Sequence, residues 1–563
     1  MQSAGNETAM DEYFRSADGY DGGGAHMSAS STPTGTVIGE VREIRGGSAV
    51  CRLDLLVLHR LQESADFTIA NAGQIGSQIK VKVGALWLLG TIRNLRADEA
   101  QANSVVCDVD FLGEGEEAGG RLTGFRRGVT RYPMPQTQIL SVGRADLDAV
   151  YAAGDRPHIE IGTVYPTEDV RGALYIDPML GKHFALLGST GTGKSTTAAL
   201  ILHRIVEQNP EGHIVMLDPH GEYAAAFTTK GQIFNTDNLQ LPYWLMNFEE
   251  HCEVFVTTEG AEREQDMDVL AKAVLHARSR SRVAQSLGKL TVDSPVPYLL
   301  SDLLGALTAG MGKLEKAGDT APYMRLKTKI EELKGDPRYS FMFNGLLVSD
   351  TMATFMSKIF RLPAEGKPIS IVDLSGVPTD IVTVVVAVLS RLTFDYAVWS
   401  RREPQRPILL VCEEAHRYVP SDRSTAPNAV RKVLESIAKE GRKYGVSLGL
   451  ITQRPSDLAE GVLSQCGTII SMRLNNERDQ MYVRSALPEG ARGFLDAIPA
   501  LRNRECIVCG EGVSVPIRVR LDTLETPLRP ASDDPVFSAL WKETGGEAEI
   551  LDRTIHRWRG QGR

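Results

Sequence analysis

One glycine-rich segment, GSTGTGKS at Gly188–Ser195, fits the phosphate-loop pattern at every fixed position. Glycines in such a loop let backbone N–H groups turn inward around phosphates. The lysine, here Lys194, reaches the β- and γ-phosphate oxygens, and the Ser195 hydroxyl ligates magnesium. The segment therefore predicts a site for a nucleoside triphosphate and Mg²⁺. The predicted nucleotide-binding residues are Gly188, Ser189, Thr190, Gly191, Thr192, Gly193, Lys194, Ser195 and Thr196.

Two adjacent carboxylates, Glu413 and Glu414, follow the apolar run ILLVC at the end of a predicted buried strand. A phosphate-loop motor needs one acid to hold the magnesium shell and a neighbouring carboxylate to polarise the attacking water. We assign Glu413, with Ser195, to the metal and Glu414 to the water. A strand that ends in two surface carboxylates has the same pattern, and the preceding phosphate loop favours the catalytic interpretation.

Two further residues are candidates for sensing or stabilising the reacting phosphate. Gln453 ends the predicted strand LGLITQ, where it either senses the γ-phosphate or the attacking water, or makes ordinary loop hydrogen bonds. Arg442 ends a predicted helix, where a cation complements the helix dipole. The alternative for Arg442 is an arginine finger that reaches across a subunit boundary.

The segment DPHGEY, Asp218–Tyr223, raises the alternative of a GTPase, because its Asp-x-x-Gly matches a GTPase switch pattern. No guanine-reading Asn-Lys-x-Asp follows it in the sequence. A glutamate beside the metal-binding acid is also more typical of ATPases. We therefore expect ATP and Mg²⁺ as the cofactors.

The elements around these motifs alternate between strands and helices. The run HFALLG enters the phosphate loop as a strand, and an amphipathic helix from Thr196 to Gln208 leaves it. This alternation indicates an α/β core with a parallel, doubly wound sheet. Short β-rich runs before the core indicate a small β-barrel. A stretch of helical periodicity inside the core indicates a helical insertion. The predicted organisation is a disordered segment 1–35, a β-barrel 36–145, a core 146–248 and 366–525, a helical insertion 249–365 and a C-terminal tail 526–563.

Composition limits the class of protein. The 563 residues, 42% hydrophobic and 24% charged, are typical of a soluble globular protein. Because 62 basic against 71 acidic side chains give a net charge of −9, the whole surface is not suited to coating nucleic acid, although a local basic channel is compatible with this charge. The longest apolar run, Ile381–Leu389, is short of the roughly 20 residues that span a bilayer. With no secretory signal apparent and seven scattered cysteines, we expect a cytoplasmic protein without a membrane partner.

The motifs GSTGTGKS, DPHGEY, LLVCEEAH and EGRKYGVSLGLITQRPSDL, in this order and spacing, resemble the HerA family of the FtsK/HerA motor ATPases. The resemblance covers roughly Val37 to the end of the chain, with the specific motifs confined to Gly188–Leu458. It implies a RecA-like core with an N-terminal barrel and a helical insertion. It also implies a homohexameric ring that hydrolyses ATP between subunits and moves double-stranded DNA through its pore. Glu413 is a departure from phosphate-loop proteins generally, which usually have Asp there.

The resemblance further implies a partner that docks on the barrel face: a NurA-like nuclease in DNA-end processing, or a defence effector such as a sirtuin-like NADase or a nuclease. The leading hypothesis is thus an ATP-driven DNA translocase acting with a nuclease or an antiphage defence effector. A second hypothesis is an ATP-regulated ring scaffold that assembles and activates the effector, with little motor function of its own. A GTPase switch is the third.

Overall fold

The computed structural model describes residues 35–312, 320–344, 349–422, 428–486, 495–531, 536–542 and 547–560. The predicted disordered segment 1–35 lies outside these residues except for Gly35. The strands are β1 (Val37–Arg45), β2 (Ser48–Asp54), β3 (Gln78–Val83), β4 (Leu86–Ala97), β5 (Ser104–Ala118), β6 (Arg121–Arg127), β7 (Gln138–Ser141), β8 (His158–Val164), β9 (Arg171–Tyr175), β10 (Phe184–Leu187), β11 (Ile214–Asp218), β12 (Gly231–Phe234), β13 (Ile369–Asp373), β14 (Ile408–Cys412), β15 (Val446–Thr452), β16 (Thr468–Ser471), β17 (Glu505–Gly510) and β18 (Ile517–Leu521).

The α-helices lie mainly on the faces of the second sheet and in the insertion. They are α1 (Leu55–Gln62), α2 (Phe67–Ala70), α3 (Arg144–Tyr151), α4 (Ile176–Gly181), α5 (Lys194–Gln208), α6 (Phe248–Phe255), α7 (Gly260–Ser279), α8 (Arg282–Gln285), α9 (Leu300–Met311), α10 (Ala321–Gly335), α11 (Ser340–Phe343), α12 (Met352–Phe360), α13 (Thr379–Trp399), α14 (Asn428–Tyr444), α15 (Glu460–Leu463), α16 (Glu477–Ala486), α17 (Phe537–Leu540) and α18 (Glu547–Arg559).

The first seven strands form the predicted β-barrel. Their order is β2-β1-β7-β3-β4-β5-β6, and an additional pairing of β2 with β5 closes six of them into a ring, with β6 attached outside. Inward-facing apolar side chains such as those of Ile38, Leu88 and Val109 fill its core. Closure pairs the backbone N–H and C=O groups that would be unpaired at the edges of an open sheet.

The second sheet has 11 strands in the order β12-β13-β11-β14-β15-β10-β16-β17-β18-β8-β9. The strands from β12 to β16 pair in parallel, as predicted. From β16 onward the pairings are antiparallel, so β17, β18, β8 and β9 extend the predicted parallel core into a mixed sheet. Strands buried on both faces read as continuous apolar runs, and β10, β11, β14 and β15 are buried at every residue.

The parallel order determines where chemistry can occur. Because parallel strands point the same way, the carboxyl ends of β11, β14, β15, β10 and β16 meet at one edge of the sheet. Ligands of open α/β sheets bind outside this edge. Strands β17 and β18 run antiparallel to their neighbours, and the start of β17 and the end of β18 therefore reach the same edge.

Between β12 and β13 the described residues form seven helices, α6 to α12, and no strand. The helix that follows β13, α13, is long and apolar enough to cross a membrane by length and composition. It lies inside the protein, however, with 67% of its most apolar window buried, and Val385 and Val388 are fully inaccessible. We conclude that α13 is a core helix of the second sheet.

A buried ion pair joins the barrel to the helix that leads into the second sheet. The Lys80 Nζ of β3 lies 2.8 Å from Asp146 Oδ2 of α3, and both side chains are almost fully buried. The backbone N–H of Leu122 donates to the other carboxylate oxygen at 2.9 Å, and the Lys80 ammonium lies 4.7 Å from the ring centroid of Trp87. Since both charges are desolvated, each depends on the other for compensation.

We expect Lys80→Ala to lower the free energy of unfolding by about 3–5 kcal/mol, because it leaves the Asp146 carboxylate buried without its partner. Urea unfolding followed by tryptophan fluorescence measures the change. Arg45→Ala is the matched control, since Arg45 pairs with Glu43 at 2.7 Å on the exposed surface of the same barrel. Its unfolding midpoint should remain that of the wild type. Equal effects of the two substitutions would contradict the structural role of the buried pair.

Candidate active site

The phosphate loop has the strand–loop–helix arrangement that its sequence predicts. Strand β10 lies between β15 and β16 and ends at Leu187, and α5 begins at Lys194, two residues before the predicted start at Thr196. Gly191 and Gly193 have φ values of 76° and 95°, a region that L side chains rarely adopt. A Cβ at Gly188 would lie 2.9 Å from the Cβ of Met472, so only glycine fits this close approach.

The structure brings three of the predicted site residues together. Lys194 Nζ lies 3.7 Å from Glu413 Oε1 and 3.5 Å from Glu414 Oε1. The three residues are nearly buried, with relative exposures of 9% for Lys194, 3% for Glu413 and 5% for Glu414. Both carboxylates follow β14, which is separated from β10 by β15 alone. The pair therefore faces the phosphate loop and does not form an exposed strand end.

The two carboxyl groups differ in their electrostatic environment. Burial raises the pKa of Glu413 to about 7, against the lowering effects of Lys194 and Tyr223. Burial acts in the same direction on Glu414, but a hydrogen bond with His416 and the charge of Lys194 outweigh it, and the pKa of Glu414 is below its ordinary value. Environments that separate the pKa values of paired acids suit them to different roles.

Tyr223 is a residue of this site that the sequence interpretation missed. Its hydroxyl donates a hydrogen bond of 2.8 Å to Glu413 Oε2, and it is fully buried. Its backbone N–H donates to the side chain of Asp218 at 2.9 Å. The Tyr223 hydroxyl also interacts with the hydroxyl of Ser195. Tyr223 is the last residue of the segment DPHGEY, of which the sequence interpretation used only the Asp-x-x-Gly spacing.

His416 was also missed, although it belongs to the segment LLVCEEAH. Its Nδ1 lies 3.2 Å from Glu414 Oε2 and 2.9 Å from Thr452 Oγ1. Glu414 itself has a φ of 50°, an uncommon left-handed conformation for a non-glycine residue. His416 and Lys194 thus hold the two ends of a carboxylate whose backbone is strained.

Asp218 has a local structural role. Its fully buried carboxylate accepts backbone hydrogen bonds from His220 at 3.2 Å, Gly221 at 2.9 Å and Tyr223 at 2.9 Å. Burial raises its pKa despite these bonds. The aspartate and glycine of DPHGEY therefore form a tight turn at the end of β11, and this turn places Tyr223 against Glu413.

Gln453 lies at the phosphate loop and Arg442 does not. The Thr190 hydroxyl donates to Gln453 Oε1, and the Gly188 N–H donates to the preceding Thr452 carbonyl at 3.3 Å. Arg442 lies in the last turn of α14, just before β15 begins at Val446, and lines a cavity of about 450 Å³ at that opposite end of the strand. Seven strand residues span roughly 20 Å, so Arg442 does not reach the phosphate loop of its own chain.

The donor set at this edge fits magnesium. Mg²⁺ prefers oxygen ligands and is usually held by one or two carboxylates, a hydroxyl and substrate phosphates. Ser195 and Glu413 offer such oxygens, and Tyr223 contacts both. Within the described part of the chain there is no cluster of three or more His, Cys, Asp or Glu side chains that would hold a metal without a nucleotide. The arrangement is thus suited to binding a metal together with phosphates.

Three comparisons place the chain among known proteins. Residues 159–393 match the family described as "Helicase HerA, central domain". The DNA double-strand break repair helicase HerA of Pyrococcus furiosus is 27% identical over 488 residues, which cover 77% of this chain and 85% of that protein. HerA of Saccharolobus solfataricus is 24% identical over 513 residues, covering 85% and 93%. The solved structure of VirB4 of Thermoanaerobacter pseudethanolicus is similar with a TM-score of 0.48 and 15% identity, covering 67% of this chain and 99% of that one.

The two glutamates should affect stability in opposite directions when magnesium and nucleotide are absent. Because the pKa of Glu413 rises from 4.5 unfolded to about 7 folded, ionising it costs stability between these pH values and costs most above pH 7. Glu413→Gln should therefore raise the unfolding free energy at pH 8, by about 1–3 kcal/mol, with a smaller gain at pH 5.5.

Glu414→Gln is the matched control. Since the pKa of Glu414 is lowered, its ionised form contributes stability above the unfolded pKa, and this contribution is lost as the pH falls. The substitution should therefore lower stability at pH 8. Thermal unfolding of both variants in magnesium-free buffer at the two pH values measures the changes. A shift of the same sign for both variants at pH 8 would contradict the assigned environments.

Proposed function

We propose that this chain, which belongs to the HerA helicase family, is an ATP-driven motor that moves double-stranded DNA through a ring of six identical subunits. The family match and the HerA relatives confirm the resemblance drawn from the motifs. The chain is accordingly an ATP-hydrolysing enzyme of the helicase or translocase type. Translocation of duplex DNA, the hexameric ring and the roles of individual residues are the proposal.

The observation that carries the proposal is the buried cluster of Lys194, Glu413 and Glu414 at the phosphate loop. Lys194 binds the β- and γ-phosphate oxygens, and the loop residues from Gly188 to Thr196 hold the phosphate chain. Ser195 and Glu413 ligate Mg²⁺, which, when bound, neutralises phosphate charge. Glu414 polarises the attacking water, and Lys194 and His416 hold its carboxylate in place at the loop. Gln453 orients the γ-phosphate or that water.

The local structure supports ATP over a GTPase switch. The carboxylate of Asp218 is engaged by three backbone N–H groups, so the Asp-x-x-Gly spacing of DPHGEY is explained by a turn. The second carboxylate beside Glu413 supplies a general base within the chain, which is the arrangement expected of an ATPase motor.

Two features support assembly into a ring. Arg442 lies at the edge of the sheet opposite its own phosphate loop, where it is free to serve the site of an adjacent subunit as an arginine finger. The C-terminal helices carry large apolar side chains that this chain leaves exposed, with Phe537 at 57% and Trp541 at 80%. Exposed apolar side chains in such a cluster are typical of protein contacts.

A partner on the barrel and a cytoplasmic location complete the proposal. The barrel presents Leu56, Phe67 and Ile75 on and beside its two short helices, each exposed by more than 40%. This surface supports docking of a nuclease or a defence effector. The apolar helix α13 is a buried core element, which supports a cytoplasmic protein.

Lys194→Ala and Glu414→Gln should each reduce ATP turnover by at least 100-fold. The first loses the phosphate-binding cation, and the second loses the base while retaining ATP binding. Steady-state hydrolysis with and without duplex DNA, together with equilibrium ATP binding, measures both effects. Lys272→Ala, an exposed lysine of α7, is the control. Duplex DNA should stimulate the wild type. Unaltered turnover in Glu414→Gln would remove its assigned role, and hydrolysis indifferent to DNA would favour the ring-scaffold hypothesis.

Mixed rings test whether Arg442 acts between subunits. Arg442→Ala and Glu414→Gln rings should each be inactive, because one lacks the finger and the other lacks the base. In a mixture, some interfaces combine an intact Arg442 with an intact Glu414, and these should restore part of the hydrolysis. Titrating the ratio of the two variants measures the recovery. If no mixture regains activity, action across the interface loses its support.

A further inference from the structure

The order of strands predicts which end of a bound nucleotide lies on which side of the phosphate loop. Along the carboxyl edge, β14 with its two glutamates lies on one side of the phosphate loop, and β16, β17 and β18 lie on the other. Lys194 contacts Glu413 and Glu414, so the terminal phosphate lies on the β14 side. Since the phosphates of ATP form a chain, the nucleoside at its other end must leave toward the ends of β16, β17 and β18.

Arg504 lies on that side, directly beside the loop. Its Cγ is 4.0 Å from the position that a Cβ would take at Gly193. Its backbone N–H donates to the Thr192 carbonyl at 3.4 Å, and its carbonyl accepts from the Leu521 N–H at 2.9 Å. The guanidinium donates to the Thr523 hydroxyl, which is its one hydrogen-bond partner within the part of the chain that the structure describes. The residue is exposed at the mouth of the loop.

The backbone of Arg504 is held in an unfavourable conformation. Its φ is 64°, in the left-handed region where glycine or asparagine is preferred. Such strain persists where the surrounding contacts enforce it, commonly at ligand sites. Here the hydrogen bonds to Thr192 and Leu521 fix the backbone, and the conformation directs the side chain past Gly193 to Thr523.

We propose that Arg504 forms one wall of a nucleoside subsite, in which its planar guanidinium lies flat against the purine base of bound ATP or ADP. The Thr523 hydroxyl orients the guanidinium, and the strained backbone positions it over the exit of the phosphate loop. Guanidinium groups pack favourably on aromatic faces, and the contact is made equally to the di- and triphosphate because it lies away from the γ-phosphate. The inference rests on the proposed binding of ATP at this loop.

The test compares ligands with and without a nucleoside on the full-length chain. In Arg504→Asn, which tolerates the left-handed backbone, the Kd values of ADP and of a non-hydrolysable ATP analogue should rise about tenfold. The Kd of inorganic tripolyphosphate should stay within about twofold, because this ligand has no base. Isothermal titration calorimetry measures all three. Arg502→Asn, an exposed arginine two residues earlier, is the matched control and should leave every Kd unchanged.

Two results would overturn the inference while leaving the proposed function intact. One is unchanged ADP affinity in Arg504→Asn, and the other is an equal loss of tripolyphosphate affinity, which would place Arg504 on the phosphates. Thr523→Val provides a second variant if Arg504→Asn does not fold. It removes the hydroxyl that orients the guanidinium and should raise the Kd of ADP by about threefold. A wild-type chain that binds no nucleotide would instead overturn the proposed function itself.

Discussion

The contact of Lys194 with two adjacent carboxylates is the interaction on which the arrangement of this chain depends. Three ionisable side chains are buried at the carboxyl edge of the sheet, and the Lys194 ammonium lies within 3.7 Å of both carboxylates. Buried charges are costly unless they are paired and hydrogen-bonded. Here one cation faces two acids, so the cluster is balanced when one acid carries a proton. Burial raises the pKa of Glu413, whereas His416 and Lys194 hold the pKa of Glu414 below its ordinary value, so the two acids are not equivalent.

The surrounding elements are arranged around that cluster. Lys194 is the first residue of α5 and Glu413 directly follows β14, so a parallel sheet with β15 between β14 and β10 is needed to bring them together. The turn built on Asp218 places the Tyr223 hydroxyl against Glu413, and His416 links Glu414 to Thr452 at the end of β15. Strands β11, β14 and β15, which lie in succession on one side of β10, therefore each contribute a polar group to the same edge.

Much of this follows from local sequence. The phosphate loop, the acid pair, the barrel and the core strands are encoded in short segments whose glycine spacing and apolar runs can be interpreted without knowing the fold. What escaped prediction depends on distant pairing. Strands β8 and β9 precede the phosphate loop in the chain, yet they join the sheet beyond β18, and no local pattern specifies an antiparallel partner more than 350 residues away. The roles of Tyr223 and His416 escaped for the same reason, because each contacts a residue brought near only by the sheet.

The charges at the site also bear on the proposed assembly of several copies. Among the described residues, Lys194 and His416 are the basic side chains within 4 Å of the two glutamates. Arg504 lies beyond β16 on the nucleoside side, and Arg442 lies at the opposite edge of the sheet. Phosphoryl transfer places charge on the equatorial oxygens of the γ-phosphate, and an arginine there accelerates the reaction by several powers of ten. At the carboxyl edge, Arg454 follows Gln453 and pairs with Asp457 at 3.6 Å. Arg442 lies at the far edge, so the proposed arginine finger would come from a neighbouring copy. The proposed ring would thus bring Arg442 of one copy to the phosphate loop of the next.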